Sequence, residues 1–475
     1  MPGIGWRRQH RGRASNGERD TGHTRLVARL SSRQAGTPAI CKSQQGHKVG
    51  GLKVCVIGAG STYTPELIEG LIERASELPI DTIVLIDIDA DRLRVVGGLA
   101  ERMLRAAEAD IELQLAVRRR QALEGADYVI VQIRVGGLAC RIQDESIPLR
   151  FGVVGQETTG PGGFAKALRT IPVLLDIAHD MARVAPRAHL INFTNPSGVI
   201  TEALLKYTDT PTIGLCNSPF GFQQGIAEQF GVAPERIQLD YVGLNHLSWI
   251  RGVRLEGEDV FAKVLEGAAA RAKAGESSFS HRLLETLGML PSYYLRYYYH
   301  HDQVVAEQRR AEKTRGEQVQ EIDARLLELY AVPSLNHKPK LLQERGGAHY
   351  STVAVAVISA IHGDKGEVHI VNTRNNGALP DLPPDCAVEL PSVINSSGAR
   401  PIAVDPMPPA IRGLTQAVKA YEELTVLAAV EGDERAALQA LLAHPLVPSF
   451  GVALGLWEAI KEANSAYLPQ FMGRK

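Results

Sequence analysis

Cys216 and His246 are the residues whose types point most directly to metal chemistry. Cys216 ends a predicted buried strand, and His246 follows the next strand-like run. One thiol and one imidazole suit a borderline divalent ion such as Mn, Fe, Co, Ni or Zn. Two protein ligands leave positions open for substrate oxygens, which is the arrangement for Lewis-acid chemistry. Spacing alone leaves the alternative that both side chains pack in a core.

A tyrosine-rich stretch offers a candidate proton acceptor. Five of the chain's thirteen tyrosines lie between Tyr293 and Tyr299. In a helix Tyr294 and Tyr298 would share one face, and Tyr293 and Tyr297 another. A phenol, with an ordinary pKa near about 10, can serve as a base only where a cation or a metal favours the phenolate. An aromatic packing seam is the alternative for most of these tyrosines.

A glycine-rich turn after the first predicted strand indicates a nucleotide site. Residues 52–57 form a short apolar run, followed by Gly58, Gly60, Ser61 and Thr62 and then by a helical pattern. The first glycine permits a tight turn, and the second lets the backbone approach a pyrophosphate at a helix N-terminus. The third glycine of the usual fingerprint is missing, so an ordinary turn between strand and helix is the alternative.

Asp87 stands at the end of the second predicted strand. In this position a carboxylate accepts hydrogen bonds from the ribose diol of NAD and repels the 2′-phosphate of NADP. The pattern therefore favours NAD. A helix N-cap is the alternative role for Asp87, and the two roles are compatible.

The order of predicted elements indicates an α/β fold with a Rossmann-type parallel sheet. Helical patterns separate the apolar runs, the first long one at about residues 90–109. Beyond about residue 235 the predicted helices and strands follow an α+β pattern. We predict a basic tail over residues 1–51, an NAD-binding domain over 52–220, and a substrate, metal and oligomerisation domain over 221–475. The predicted strands are residues 52–57, 82–87, 127–132, 188–193, 212–216 and 367–371; the later predicted helices are 258–275, 279–289, 304–330 and 409–431.

Composition excludes several classes of protein. The 475 residues carry a formal net charge of -1, which argues against a nucleic-acid or membrane-surface partner. No apolar run reaches the roughly 18 residues of a membrane span. The five cysteines are far apart and odd in number, which argues against a disulfide framework and for a reducing, cytoplasmic location.

Taken together and in chain order, the motifs resemble glycoside hydrolase family 4. The resemblance runs from about Leu52 to the C-terminus. It is carried by Gly58-x-Gly60-Ser61, Gly155-Gln-Glu-Thr-Thr-Gly160, Asn192-Phe-Thr-Asn-Pro-Ser-Gly198, Cys216-Asn-Ser-Pro219, Gly243-Leu-Asn-His246, Tyr294-Leu-Arg-Tyr297, Thr314-Arg315, Gly346-Gly-Ala-His-Tyr-Ser351 and Asn372-x-x-Asn375-Asn-Gly377.

The resemblance implies an unusual glycosidase that needs NAD and a divalent metal, with Mn expected first. It implies that NAD⁺ takes hydride from sugar C3, that a base removes the acidified C2 proton, and that the aglycone leaves from C1. Water then adds and the steps reverse. It also implies a C-terminal α+β domain like that of lactate and malate dehydrogenases, and a homodimer or homotetramer.

The resemblance also implies roles for individual residues. Cys216 and His246 would be the metal ligands, and Tyr294 would be the C2 base. The remaining implied contacts, to the sugar or its phosphate, are Arg141, Asn195, Asn217 and Arg315. Arginine suits a phosphate because its planar guanidinium can form two parallel hydrogen bonds to it.

Asn217, directly after the cysteine, indicates the substrate class. Cys216-Asn217-Ser218-Pro219 is similar to the pattern of 6-phospho-β-glucosidases, whereas α-acting members resemble Cys-Asp or Cys-His. Asparagine cannot donate a proton as a carboxylic acid does, so no leaving-group acid is assigned. The alternatives are α-linked or non-phosphorylated glucosides, a plain NAD-dependent 2-hydroxy acid dehydrogenase, and a non-catalytic NAD sensor.

Overall fold

A parallel sheet organises the first half of the chain. The computed structural model describes residues 51–346 and 350–472, so most of the predicted tail lies outside the described residues. Apolar, β-branched runs form strands that are buried on both faces, except at the edge strand β3. The strands are β1 (Leu52–Ile57), β2 (Ile80–Ile86), β3 (Glu112–Ala116), β4 (Tyr128–Val131), β5 (His189–Asn192) and β6 (Thr212–Gly214).

Helices connect these strands and cover both faces of the sheet. The spatial order of the strands is β3-β2-β1-β4-β5-β6, the order of a Rossmann fold, and all five pairs are parallel. The predicted fold class is confirmed. The helices are α1 (Thr64–Glu73), α2 (Ala90–Ala106), α3 (Arg119–Leu123), α4 (Gly137–Arg150), α5 (Gly160–Val184), α6 (Ser197–Tyr207) and α7 (Ser218–Phe230).

Strands from the second half extend the same sheet. An antiparallel meander, β11-β12-β13, joins the parallel strands at β6 and gives a nine-stranded sheet. A separate antiparallel sheet is built on the hairpin β7-β8. The domain boundary near residue 220 stays a prediction, because both sides of it contribute to one sheet. The strands are β7 (Ile237–Leu244), β8 (Leu247–Leu255), β9 (Glu258–Asp259), β10 (Leu290–Pro291), β11 (Glu367–Arg374), β12 (Ala387–Asn395) and β13 (Gly398–Pro401).

The helix predicted over residues 304–330 is two helices. Thr314 begins the second one through a capping box with Glu317, which satisfies backbone N–H groups at a new helix start. The tyrosine stretch begins as a 3₁₀ turn, Tyr293–Leu295, and not as a continuous helix. The helices are α8 (Phe261–Lys273), α9 (His281–Leu287), α10 (Arg296–Tyr299), α11 (His301–Arg310), α12 (Arg315–Tyr330), α13 (Tyr350–His362), α14 (Pro409–Glu431), α15 (Glu434–Ala443) and α16 (Phe450–Ala463).

The sheet separates two large apolar cores. One lies between the sheet and α5, α6 and α14, and the other between the sheet and α1, α2 and α13. Within residues 51–346 and 350–472, no helix is both long and apolar enough to cross a membrane. These two cores fix the strand ends, where the candidate site lies.

Candidate active site

A cavity of about 1480 Å³ opens at the carboxyl ends of β1, β2, β4 and β5. This is the edge at which open α/β sheets bind ligands. Ten of the twelve residues predicted from the sequence line it, and Thr62 and Cys216 do not. The ten are Gly58, Gly60, Ser61, Asp87, Arg141, Asn195, Asn217, His246, Tyr294 and Arg315.

The glycine turn has no room for side chains. Gly58 has φ +85°, and a Cβ there would lie 2.8 Å from the carbonyl oxygen of Gln132. A Cβ on Gly60 would lie 2.9 Å from Oδ2 of Asp87. Gly58 therefore requires glycine, and a Cβ at Gly60 would displace the Asp87 carboxylate. The bare backbone between the two positions is a suitable cradle for a pyrophosphate.

Asp87 is held at the end of β2 by backbone donors. Its Oδ2 accepts a hydrogen bond from Gly60 N at 2.7 Å, and its Oδ1 accepts one from Asp89 N at 3.0 Å. The helix cap is Asp89, whose side chain accepts from two N–H groups of α2, so the alternative role for Asp87 is not the one observed. Each carboxylate oxygen keeps a lone pair for a ribose hydroxyl.

Thr62 is buried next to the glycine turn and does not line the cavity. Its side chain is fully buried, and its hydroxyl donates to Oδ1 of Asp323 at 2.7 Å. Arg92 binds the same carboxylate and also donates to the carbonyl oxygen of Gly60 at 3.1 Å. Thr62 thus supports the turn, and its predicted contact with the cofactor stays a prediction.

His246 lies in the two-residue turn between β7 and β8 and stacks on Tyr294. The ring centroids are 3.5 Å apart and the planes differ by 7°. The Thr158 hydroxyl lies 3.1 Å from Nδ1 and donates its one proton to Gln156 at 2.9 Å. Thr158 must therefore accept from His246 Nδ1–H, which leaves the Nε2 lone pair for a ligand. Burial, assisted by the charge of Lys166, lowers the pKa of His246 to about 3, so the ring is neutral.

Cys216 is buried beside this turn. Its sulfur lies 3.5 Å from the Ser218 hydroxyl, and the side chain of Asn245, the residue before His246, is close enough to lower the pKa of the thiol. Burial and the nearby Glu389 raise the pKa of the Cys216 thiol to about 12. The structure therefore brings Cys216 against the turn that carries His246, one residue away from the cavity-lining Asn217.

A cluster of cations surrounds one carboxylate on the cavity wall. Arg134, Arg141 and Lys166 each form an ion pair with Glu157, and the Lys166 distance is 2.8 Å. Burial alone would raise the pKa of Glu157, but the three cations hold it well below its usual range. Burial and the charge of Arg134 lower the pKa of Lys166 to about 8. Arg141 also pairs with Glu145, so three cations face two carboxylates, and the wall keeps a positive balance that suits an anionic ligand.

Arg315 and Asn195 complete the polar lining. Arg315 is the first residue of α12 and donates to the carbonyl oxygen of Glu344 at 2.7 Å. Asn195 is held through Nδ2 by the carbonyl oxygen of Phe193 at 3.4 Å. Its Oδ1 is buried and has no hydrogen-bond partner among the described residues. Such an atom is expected to accept a hydrogen bond from a bound ligand.

The residues fit both of the groups that the sequence implies. For NAD the fit lies in the side-chain-free glycine cradle and in the carboxylate of Asp87. For a divalent metal it lies in the neutral imidazole of His246 and in the thiol of Cys216 beside it. Residues 51–346 and 350–472 contain no cluster of three or more His, Cys, Asp or Glu suited to a metal, so further ligands would be substrate or water oxygens.

Comparison with known proteins assigns the chain to a family. The model described as "Family 4 glycosyl hydrolase" matches residues 53–232, and that described as "Family 4 glycosyl hydrolase C-terminal domain" matches residues 241–447. The chain belongs to glycoside hydrolase family 4. The resemblance in the sequence motifs is thereby confirmed.

Several family 4 proteins are similar over nearly their whole length. A probable 6-phospho-β-glucosidase of Bacillus subtilis (strain 168) is 44% identical over 89% of this chain and 99% of its own. A 6-phospho-β-glucosidase of Escherichia coli (strain K12) is 39% identical over 88% of this chain and 97% of its own. The structure of the Thermotoga maritima 6-phospho-β-glucosidase with manganese, NAD⁺ and glucose-6-phosphate matches with a TM-score of 0.83 and 37% sequence identity. The match covers 88% of this chain and 99% of the Thermotoga chain.

Some residues of the site were not singled out in the sequence. Glu157 and Arg134 lie inside polar segments that follow strands, but their ion pair joins loops 23 residues apart. Lys166 lies within α5, where its cavity-facing direction has no local signal. Part of the 346–351 motif lies outside the described residues. Only the ion pair with Glu157 distinguishes Lys166 from a solvated surface lysine.

Proposed function

We propose that this chain hydrolyses 6-phospho-β-glucosides and that it requires NAD⁺ and a divalent metal, with Mn²⁺ the first choice. The observation that carries the proposal is the composition of the cavity. It combines a glycine nucleotide cradle with the stacked pair His246–Tyr294 and a cationic wall. A dehydrogenase of 2-hydroxy acids would use the cradle and an imidazole as its acid–base group, but it would need neither a buried thiol nor a tyrosine beside that imidazole.

Different residues along the cavity have different roles in the proposed reaction. NAD⁺ supplies transient oxidation at sugar C3, and the metal supplies Lewis-acid polarisation of the sugar oxygens. Tyr294 removes the proton from C2, and its ring is held in place by the stack on His246. The unpaired Oδ1 of Asn195 accepts a hydrogen bond from a sugar hydroxyl.

Phosphate recognition is assigned to the arginines. Arg315 and Arg141 line the same cavity. Arg315 contacts Gln318 and Glu344, and Arg141 contacts Glu145 and Glu157. Their remaining N–H groups can form paired hydrogen bonds to phosphate oxygens. The positive balance around Glu157 adds to the attraction of a dianion.

The β-linked substrate class rests on Asn217 and on the relatives. Asn217 lines the cavity. It occupies the position after the cysteine, where α-acting members of the family resemble Cys-Asp or Cys-His. The relatives named as 6-phospho-β-glucosidases are 37–44% identical to this chain, whereas those named as α-glucosidases of phosphorylated sugars are 29–30% identical. Both observations favour β over α.

The test uses p-nitrophenyl β-glucoside 6-phosphate with NAD⁺ and Mn²⁺. We expect nitrophenol release that stops when a chelator removes the metal or when NAD⁺ is withdrawn. In ²H₂O the released sugar phosphate should carry deuterium at C2, because the C2 proton is lost and replaced by solvent. The α anomer and the unphosphorylated β-glucoside serve as matched substrates. Turnover without deuterium at C2 would contradict the elimination route.

Assembly and location complete the proposal. A phosphorylated sugar is the expected partner, and we expect a homodimer or homotetramer without nucleic-acid or membrane partners. A cytoplasmic location agrees with a requirement for NAD⁺ and with free thiols at Cys55, Cys140, Cys216 and Cys386. Light scattering and cell fractionation test these two expectations.

A further inference from the structure

Buried carboxylates in this chain are paired with cations, with one exception. Eight Asp or Glu side chains are buried among the described residues, and seven of them have an Arg or Lys within ion-pair distance. The exception, Glu389, is 1% exposed and forms no ion pair with a described residue. The seven paired carboxylates are Asp144, Glu145, Glu157, Asp180, Glu202, Asp323 and Glu422.

Three neutral donors hold Glu389 in place. Its Oε2 accepts from the Tyr241 hydroxyl at 2.5 Å, and its Oε1 accepts from Nδ2 of Asn245 at 2.9 Å and of Asn372 at 3.1 Å. The three donors suit the ionised form of Glu389, but burial raises the pKa of this carboxylate. A buried negative charge of this kind needs a positive charge nearby.

Asn245 links the carboxylate to the candidate metal site. Its Nδ2 donates to Glu389 at 2.9 Å, and its Oδ1 accepts from Gly198 N at 3.4 Å. Asn245 is also half of the tight turn whose other half is His246, at φ +64°. The orientation of Asn245 is therefore coupled to the turn that carries His246, and Glu389 holds that orientation.

We propose that Glu389 is a positioning residue for the metal site, which holds Asn245 and with it the turn that carries His246, and supplies the negative charge that balances a bound dication. This inference rests on the proposed function. A thiolate and a neutral imidazole leave one positive charge on a divalent ion, and one buried carboxylate compensates it. Asn372, from a motif with no other assigned role, serves here as a donor to that carboxylate.

The test is the Mn²⁺ affinity of Glu389→Gln, measured with NAD⁺ bound from the EPR signal of free Mn²⁺. We expect binding about 10- to 100-fold weaker than wild type, the range found when outer-shell partners of metal ligands are removed. NAD⁺ affinity, measured by titration, should remain unchanged. An unchanged Mn²⁺ affinity in the folded variant would overturn the proposal.

Glu202→Gln is the matched control. Glu202 is equally buried, but it pairs with Lys419 and Lys206 and has no contact with Asn245. Its variant should melt at a lower temperature because Lys419 loses a buried partner, and it should bind Mn²⁺ as wild type does. An equal loss of Mn²⁺ affinity in this control would count against a specific role for Glu389.

A second variant tests the proposal if Glu389→Gln does not fold. Tyr241→Phe removes one of the three donors and keeps the carboxylate, and we expect severalfold weaker Mn²⁺ binding. Unchanged binding there would again overturn the proposal.

Cys216→Ser separates this inference from the proposed function. If Cys216→Ser loses Mn²⁺ and Glu389→Gln keeps it, only the role of Glu389 fails. If wild type and Cys216→Ser bind Mn²⁺ equally, the metal site itself fails, and both proposals fail with it.

Discussion

The two halves of the cavity are built in different ways. The nucleotide half comes from two neighbouring turns, with Gly58, Gly60 and Asp87 within thirty residues of one another, and its shape depends on missing side chains. The sugar half is assembled from loops and helices between Arg134 and Arg345 and depends on charged and aromatic side chains. Local sequence therefore defines the first half, and long-range pairing defines the second.

This difference predicts which kind of substitution damages each half. Added volume should harm the nucleotide half, because its backbone approaches its neighbours within van der Waals distance. Removed functional groups should harm the sugar half, where each buried charge has a partner that would be left unpaired. The variants below test this contrast, from the largest expected effect to the smallest.

Tyr294→Phe should have the largest effect. Phenylalanine keeps the stack on His246 but removes the hydroxyl, so kcat for the phosphorylated β-glucoside should fall by about 10²- to 10⁴-fold, with NAD⁺ and Mn²⁺ binding retained. Steady-state kinetics and titrations measure both. Tyr299→Phe, which loses only the hydrogen bond from Trp249 at 3.3 Å, is the control. A kcat within tenfold of wild type would remove Tyr294 from the chemistry.

Arg315→Ala should act mainly on substrate affinity. The loss of charge-assisted hydrogen bonds to the phosphate should reduce kcat/KM by about 10- to 100-fold, chiefly through KM. The effect should be confined to phosphorylated substrates. Arg94→Ala removes an exposed guanidinium that pairs with Asp91 and should change nothing. An equal loss on the unphosphorylated glucoside would argue against a phosphate contact.

Gly60→Ala tests the nucleotide half. The added methyl group would meet the Asp87 carboxylate at 2.9 Å, so NAD⁺ should bind about tenfold more weakly, while kcat at saturating NAD⁺ changes little. Fluorescence titration with NAD⁺ gives the affinity. Gly413→Ala, where a Cβ meets nothing within 4 Å, is the matched control. Unchanged NAD⁺ affinity would mean that the turn adapts to volume.

Acid should destabilise the region behind the sugar half. Burial lowers the pKa of His444 to about 3, so between pH 3 and its ordinary value near 6.5 the unfolded chain binds more protons than the folded one. The free energy of unfolding should therefore fall as pH falls through this window, by at most about 1.4 kcal/mol per pH unit from this group. His444→Gln should show a shallower slope in denaturant titrations, and an identical slope would contradict the shift.

Some of this structure follows from the sequence and some does not. Apolar, β-branched runs identified β1, β2 and β4 to β6, whereas the edge strand β3 was missed because its burial is incomplete. The missed start of a helix at Thr314 has a local cause, since a capping box outcompetes helix continuation. Strands β12 and β13 were missed as well, and β12 is buried inside the sheet, so local signals identified most of the parallel strands but only β11 of the antiparallel extension.

The candidate site was predictable where residue type limits chemistry. Glycine, cysteine and clustered tyrosines can be identified as candidate site residues from the sequence alone. Ten of the twelve predicted residues line the cavity. Side-chain direction was not predictable: Thr62 follows the glycine turn but faces Asp323. Glu389 could not be predicted from the sequence either. The absence of a cation near this carboxylate is a property of the fold and not of the neighbouring residues in sequence.

The junction between β6 and β11 has a consequence for biosynthesis. The two strands pair through Gly214 and Asn372, so the growing chain must add more than 150 residues before the free edge of β6 is covered. An open edge of this kind invites intermolecular pairing. Nascent chains halted between the two strands should therefore aggregate. The hydrogen bonds of Glu389 with Asn372 and Asn245 can likewise form only after this late segment has been synthesised.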